Sequence, residues 1–368
     1  MRIAYDHQIF GWQDFGGISR YFYELAREMA TTCRQPTAVI APLYVNRYLG
    51  EAPAALQVVG ISSPYIARSG RLYRLVNGLI AAPLLRRFRP DIVHETYYSN
   101  TSIVPRGART VLTVFDMIHE RFRDRISAFD PVSREKIRAV KRADHVICIS
   151  EQTRRDLLEL IDVDPFKTSV VHLGFSLTDP AAGQACSIAT QRPFLLYVGK
   201  RGGYKNFEGL LKAYAASSLQ RKEFDLVCFG GGAITAGERD LMRRLNLPSD
   251  RVRQVSGNDA ALAAHYRAAF AFVFPSLYEG FGLPPLEAMS FGCPVICSGV
   301  SSIPEVVGDA AATFDPYDQD AMRSTIDRVI ADDDFRRSLA LRGRERVRAF
   351  SWTRCANETL DVYRKVLE

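Results

Sequence analysis

Residues 178–193 read TDPAAGQACSIATQRP, small and turn-forming with no apolar period, and Phe194-Leu195-Leu196-Tyr197-Val198-Gly199 follows at once. A short apolar run bounded by Pro and Gly reads as a strand buried on both faces. The stretch therefore closes one pattern and restarts another, as a linker does before a second domain. Downstream, apolar runs recur at 224–229, 252–255, 269–274, 294–297 and 311–314, with helical patterns between them. Upstream the same alternation occupies the first half. Strands are expected at 2–7, 37–44, 91–95, 110–115, 145–150 and 169–173, and helices at 18–30, 72–88, 132–142 and 151–161. Strands alternating with helices from end to end mean parallel sheets with crossover helices. The expected division is an N-terminal domain at 1–178, a linker at 179–193, a C-terminal domain at 194–350 and a closing helix at 351–368. That helix is N-capped by Ser351 and carries Trp352, Ala356, Leu360, Tyr363 and Leu367 at helical spacing. The fold class is α/β, with two Rossmann-like doubly wound domains. Such sheets bind ligands outside the carboxyl ends of their strands, so the domains are expected to face a central cleft, with the closing helix packing back across their junction.

Composition agrees with two well-filled cores. Of 368 residues, 47% are hydrophobic and 24% charged, which excludes disorder and collagen-like repeats. Arg, Asp or Glu interrupts every run long enough to span a bilayer, and the start, Met1 to His7, has no signal-peptide core. Seven cysteines, at 33, 148, 186, 228, 293, 297 and 355, sit mostly in apolar runs; reduced buried thiols in a cytoplasm fit them, and no spacing completes a zinc site. The net charge of +7 leans to the first half, +5 before residue 190 against +2 after it. That is a weak signal for an anionic partner there. No nucleic-acid partner is expected.

The chemistry concentrates in Pro275 to Met289, PSLYEGFGLPPLEAM. It follows an apolar run, supplies two glycines and places Pro where a helix begins. Amides of a Gly-rich turn and of a helix N-terminus suit phosphate oxygens. Glu279 before the turn and Glu287 on the expected first helical turn are better suited to accepting hydrogen bonds from sugar hydroxyls than to meeting phosphate. A plain strand-to-helix turn, with Glu287 complementing the helix dipole, is the competing reading.

EGFGLPPLE resembles the paired-glutamate motif of retaining glycosyltransferase family 4, whose fold is GT-B. The likeness continues through Gly16-Gly17-Ile18, Cys148-Ile149-Ser150-Glu151, Val198-Gly199 to Lys205-Asn206, Ser301 to Gly308 and Phe350-Ser351-Trp352. The resemblance implies that Glu287 holds the ribose hydroxyls of a nucleotide. Glu279 and the amides of Gly280, Phe281, Gly282 and Leu283 would hold the donor sugar. It places Arg201 and Lys205 on the diphosphate, where fixed cations offset the leaving group's charge without a metal. Gly16 and Gly17, between the first strand and its helix, let backbone approach the diphosphate or acceptor. Family members often carry His-Asp at the end of the strand that closes here with Phe115-Asp116. Asp116 fits the Asp position, and His119, three residues on, is the candidate imidazole, its ordinary pKa suiting proton shuttling.

The resemblance is to bacterial mannosyltransferases of surface-polysaccharide assembly. It implies transfer of a hexose, best read as mannose from GDP-mannose, to the hydroxyl of a glycan or lipid-linked oligosaccharide. No cofactor or metal is expected. Asp162-Val163-Asp164 and Asp332-Asp333-Asp334 mimic a metal-binding DxD, but the first reads as a turn before Pro165 and the second as an N-cap. Gly230-Gly231-Gly232 lacks a full dinucleotide fingerprint. Arg68 to Arg89 mixes arginines with apolar residues as a peripheral membrane segment does, with Pro83 expected to interrupt its helix. That places the chain in the cytoplasm, at the inner face of the membrane. A nucleotide-sugar 2-epimerase of the same architecture and a non-catalytic sugar-nucleotide-binding regulator are the alternatives.

Overall fold

Apolar runs become short parallel strands in the computed structural model of the chain, which describes residues 1–64, 70–122, 131–176, 192–218 and 224–368. The chain forms two units, Met1–Gly174 with Phe350–Glu368, and Phe175–Ala349. Most of the expected linker lies outside the described residues, as does Cys186.

In chain order the first unit contains β1 (Ile3–Tyr5), α1 (Gly17–Thr31), β2 (Thr37–Tyr44), β3 (Leu56–Ser62), α2 (Gly70–Phe88), β4 (Ile92–Glu95), β5 (Arg109–Val114), α3 (Ile118–Arg121), α4 (Val132–Arg142), β6 (His145–Cys148), α5 (Glu151–Leu160) and β7 (Thr168–Val170). Its sheet runs β3-β2-β1-β4-β5-β6-β7, every pair parallel. The second contains β8 (Phe194–Val198), α6 (Phe207–Ala216), β9 (Asp225–Phe229), α7 (Ala236–Arg244), β10 (Val252–Val255), α8 (Asp259–Ala268), β11 (Ala271–Phe274), α9 (Leu283–Ser290), β12 (Val295–Ser298), α10 (Ile303–Val307), β13 (Ala311–Phe314), α11 (Gln319–Ala331) and α12 (Asp333–Val347). Its sheet, β10-β9-β8-β11-β12-β13, is also parallel throughout. Each is a doubly wound Rossmann-like domain, and each strand order reverses once, beside β1 and beside β8.

Central strands such as β4, β6, β9, β11 and β12 are buried at every position, the consequence of helices covering both faces. Helix starts follow capping chemistry. The hydroxyl of Ser150 accepts from Thr153 N, Asn258 from Ala261 N, and Asp332 from Phe335 N. The last helix, α13 (Trp352–Leu367), is capped by Ser351 and belongs to the first unit, where Tyr363 bonds Tyr5 and His94.

Two expectations need correction. β3 was absent from the sequence reading. It is an edge strand with mostly exposed side chains, and at Gly60 a Cβ would stand 1.7 Å from the carbonyl oxygen of Ala41, so glycine lets the strand close on β2. Pro83 does not interrupt α2, which continues through it. The carbonyl that loses its donor belongs to Leu79, which like Pro83 is exposed, so water can take the donor's place.

Candidate active site

In the second unit, loops 199–206, 230–235, 275–282 and 299–302 leave the carboxyl ends of β8, β9, β11 and β12. β8 and β11 adjoin where the strand order reverses. Their loops are joined there by Leu277 N donating to Tyr204 O at 2.7 Å and by an ion pair, Lys205 Nζ to Glu279 Oε1 at 2.7 Å. Lys205 closes a short 3-10 turn, and its ammonium lies 5.2 Å from the ring centre of Tyr204 and 5.6 Å from that of Phe274. The carboxylate side chain is only 12% exposed, so the pair interacts through less water than a surface pair would.

Glu279 is held by its backbone. Ser301 Oγ accepts from Glu279 N at 3.2 Å and donates to Glu279 O at 2.8 Å. Ser302 Oγ lies 2.9 Å from the carbonyls of both Glu279 and Phe281, which share its one proton. Ser302 stands at the N-cap of α10 but makes no side-chain cap to it, because its hydroxyl is spent on the loop. Ser301 adopts φ 60°, a conformation costing a non-glycine residue roughly 1 kcal/mol or more, which these bonds hold in place.

The turn ends at Gly282, φ 114°, and α9 opens at Leu283. Pro284 and Pro285 have no N–H, so the donors here come from the turn 280–283 rather than from a complete helical first turn. Glu287 is the fifth residue of α9, in its second turn rather than the expected first. The Tyr266 hydroxyl donates to Glu287 Oε2 at 3.0 Å, and burial together with the charge of Glu287 pushes the Tyr266 phenol well up in pKa, keeping it a donor.

The structure does not bring Arg201 to the Lys205–Glu279 pair. Its guanidinium, buried, donates to the carbonyls of Gly230 (3.1 Å), Gly232 (2.9 Å) and Ala233 (2.8 Å) and to Glu238 Oε1 (2.8 Å). Gly230, Gly231 and Gly232 run at φ 77°, 70° and 78°, a path side chains resist, and Arg201 collects carbonyls that it exposes. Glu238 also completes a capping box with Thr235 at the start of α7. Partial burial pushes its carboxyl up, but the bonds from Arg201 and Thr235 outweigh that, and it titrates below the usual range.

In the first unit, a Cβ on Gly16 would stand 2.2 Å from Gln13 Oε1; the bare position accommodates Gln13, whose oxygen accepts from Ser19 N. Gly17, opening α1, has nothing within 4 Å of a Cβ position. Asp116 Oδ1 accepts from Ile118 N and so starts α3, which contains His119. Sequence reasoning missed Lys136. Its buried Nζ donates to Asp116 O and Glu120 Oε2, both at 2.8 Å, and fixes the segment carrying Asp116 and His119. The signal was its spacing: position 136 shares the face of α4 with buried Ala139 and Val140, so a charge there had to find partners.

Residues 15–179 match the family described as Glycosyltransferase Family 4, and residues 183–346 that described as Glycosyl transferases group 1. The chain belongs to the GT-B glycosyltransferases. Across 95% of its length this glycosyltransferase is 28% identical to O-antigen chain mannosyltransferase B of Escherichia coli, 96% of which it covers. Among solved structures it is similar to sucrose-phosphate synthase from Thermosynechococcus elongatus, with a TM-score of 0.74 at 22% identity over 99% of this chain and 98% of that one. It is also similar to WaaG, a glycosyltransferase involved in lipopolysaccharide biosynthesis, with a TM-score of 0.69 at 17% identity over 98% and 99%. At those identities the two structures establish the fold. Arg201, Lys205, Glu279 and Glu287 of this glycosyltransferase fall within its group 1 domain, and Gly16, Gly17, Asp116 and His119 within its family 4 domain.

Proposed function

We propose that this glycosyltransferase moves mannose from GDP-mannose to a hydroxyl of a glycan or lipid-linked glycan, with retention at the anomeric carbon. The observation that carries the reading is the Lys205–Glu279 pair at the strand-order reversal of the second sheet. Mannose is supported by the likeness, along nearly the whole chain, to an Escherichia coli mannosyltransferase. An ammonium has three N–H donors, and Glu279 accepts a hydrogen bond from one of them. The others serve the diphosphate, whose negative charge grows as the bond from anomeric carbon to phosphate oxygen breaks. Glu279 accepts from sugar hydroxyls, and Glu287, steadied by Tyr266, from the ribose. The acceptor oxygen attacks the anomeric carbon on the face the diphosphate leaves, and its proton passes to the departing diphosphate oxygen. No covalent sugar–enzyme bond and no metal take part. Arg201 acts a step away, fixing the loop 230–233 beside the site.

A peripheral membrane contact is part of the proposal. No helix among the described residues is long and apolar enough to cross a membrane. α2 instead exposes Leu75, Leu79 and Ile80, with Arg86 and Arg87 in its last turn. Apolar residues bracketed by arginines suit the inner, anionic face of a cytoplasmic membrane. Pelleting with phosphatidylglycerol vesicles should be lost in Leu75→Glu/Leu79→Glu and retained, more weakly, on neutral phosphatidylcholine. Equal pelleting of variant and parent would remove this surface from the proposal.

The activity is tested by screening GDP-, UDP- and dTDP-sugars for release of nucleoside diphosphate, with and without mannose oligosaccharide acceptors. GDP-mannose should be turned over fastest, with the sugar joined to the acceptor in the α configuration. Preference for another donor would overturn the mannose assignment. Release of a free epimerised sugar would favour the epimerase, and tight binding without turnover the regulator.

A further inference from the structure

The first sheet has a strand-order reversal of its own, between β1 and β4, where open α/β sheets take ligands. The loop leaving β1, 6–16, and the first residues after β4, 96–101, contain no Lys or Arg. Arg106 comes only near the start of β5, and Arg47, which reaches the first loop, is paired with Asp14 at 2.9 Å, so these residues bring no side-chain cation of their own to a diphosphate. They are rich in aromatic, amide and hydroxyl groups instead. Each segment contributes one ring to a tilted pair: Trp12 and Tyr97, centroids 5.4 Å apart at 56°.

This pair stands on fixed supports. Gly11 N and Gln13 N bond back to His7 O and Ile9 O, both at 2.9 Å, and Val45 N and Asn46 N bond Phe10 O at 3.1 and 3.2 Å. Asn46 Nδ2 holds the carbonyls of Gln13 and Asp14. On the β4 side, Asp6 Oδ1 accepts from Thr96 N (2.9 Å) and Thr96 Oγ1 (2.6 Å), tying the two strand ends together. Tyr97 packs at 4.7 Å on Tyr98, which is buried and 5.3 Å from the ammonium of Lys136.

Yet Trp12 is 53% exposed and Phe15, on the same loop, 57%, while Ile9 and Phe10 between β1 and Trp12 are wholly buried. Covering a large apolar side chain is worth roughly 1.5–3 kcal/mol, and single exposed apolar residues are common. An indole braced by hydrogen-bonded backbone at a sheet's ligand-binding edge is a different case.

We infer that Trp12, backed by Tyr97, is the platform on which a pyranose ring of the acceptor saccharide stacks, an inference that rests on the transferase reading above. A pyranose presents apolar C–H groups on one face, which meet the negative face of an aromatic ring, and hydroxyls at its rim for which amides and carboxylates are partners. A neutral, hydroxyl-rich ligand is what residues with no cation of their own but with exposed aromatic rings are composed to bind.

The chain has two tryptophans; both emit, but Trp352 is buried at 8% exposure and Trp12 is 53% exposed, so the indole whose emission a bound saccharide can reach is Trp12. Titration with mannotriose and with methyl α-mannopyranoside should shift that emission, sorbitol should not, and Trp12→Phe should abolish the shift. With mannotriose as acceptor, Trp12→Ala should raise its KM tenfold or more. It should leave the melting temperature and acceptor-independent hydrolysis of GDP-mannose as in the parent, and Trp12→Tyr should recover much of the loss. No shift at saturating mannotriose, an equal shift with sorbitol, a shift that survives Trp12→Phe, or an acceptor KM within twofold of the parent in Trp12→Ala would each overturn the platform. If no nucleotide sugar is turned over at all, the transferase reading fails, while the fluorescence titration still decides whether Trp12 binds saccharide.

Discussion

Lys205 donates one hydrogen bond to Glu279 and lies against two aromatic rings, and the two glutamates of EGFGLPPLE are left with separable tasks. Glu287 is bonded by Tyr266 and is proposed to meet the ribose, which donor and product share. Glu279 is proposed to meet only the sugar. Calorimetry with GDP should therefore show Glu287→Ala binding at least about tenfold more weakly, as loss of a hydrogen bond made by a charged group does. Glu279→Ala should bind GDP no more weakly than the parent, because it also releases Lys205 from its counter-charge, and should lose turnover instead. Equal losses in the two, or a loss confined to Glu279→Ala, would refute the assignment. Lys205, Glu279 and Glu287 could be named as candidates from the sequence because their motifs are carried in local order along the chain. The surroundings of Arg201 were not: its partners lie 29–37 residues away, and a basic loop after a strand looks alike whether the charge meets phosphate or carbonyls. Lys136 was obscured by the same ambiguity among the charges of α4.

At the scale of the element, β4 shows how alternation sets neighbours apart. His94 faces α13, with Nδ1 2.6 Å from Tyr363 Oη and Nε2 2.8 Å from Thr113 Oγ1, and burial drives its pKa down to about 3. Glu95 accepts from Arg142 and Ser102, but burial and the charge of Asp6 raise it to about 7. The signs oppose. A histidine depressed on folding stabilises above its unfolded pKa of about 6.5, and that stability is lost as pH falls towards 3. A glutamate raised on folding stabilises below its unfolded pKa of about 4.5, and that stability is lost as pH rises through 7. Between about pH 4.5 and 6.5 the two slopes, each at most about 1.4 kcal/mol per pH unit, offset one another. Melting temperatures measured from pH 4.5 to 7 should, relative to the parent, fall with rising pH in His94→Asn and rise in Glu95→Gln; unchanged slopes would contradict the pairing. Strands such as β11 were readable because burial on both faces leaves a bare apolar run. β3 was not, since an edge strand has no such run and its existence depends on β2.

At the scale of the whole molecule, one architecture is used twice. Each unit winds helices on both faces of a parallel sheet and brings its distinctive residues to the carboxyl edge where strand order reverses. The second unit places charge there and the first aromatic rings, which is the division expected when one ligand is a nucleoside diphosphate sugar and the other a saccharide. Alternation along the chain was enough to foresee both sheets. That α13 belongs to the first unit was not foreseeable, since nothing in its own sequence says which sheet covers Tyr363. The whole reading depends on one cation. Release of GDP from GDP-mannose should be measured for the parent and for Lys205→Ala, each verified as folded by circular dichroism, in the presence of excess EDTA. The expected result is turnover by the parent and a rate lower by roughly a hundredfold or more in the variant. A folded Lys205→Ala protein releasing GDP at the parent's rate, or a parent that works only when magnesium or manganese is restored, would contradict it.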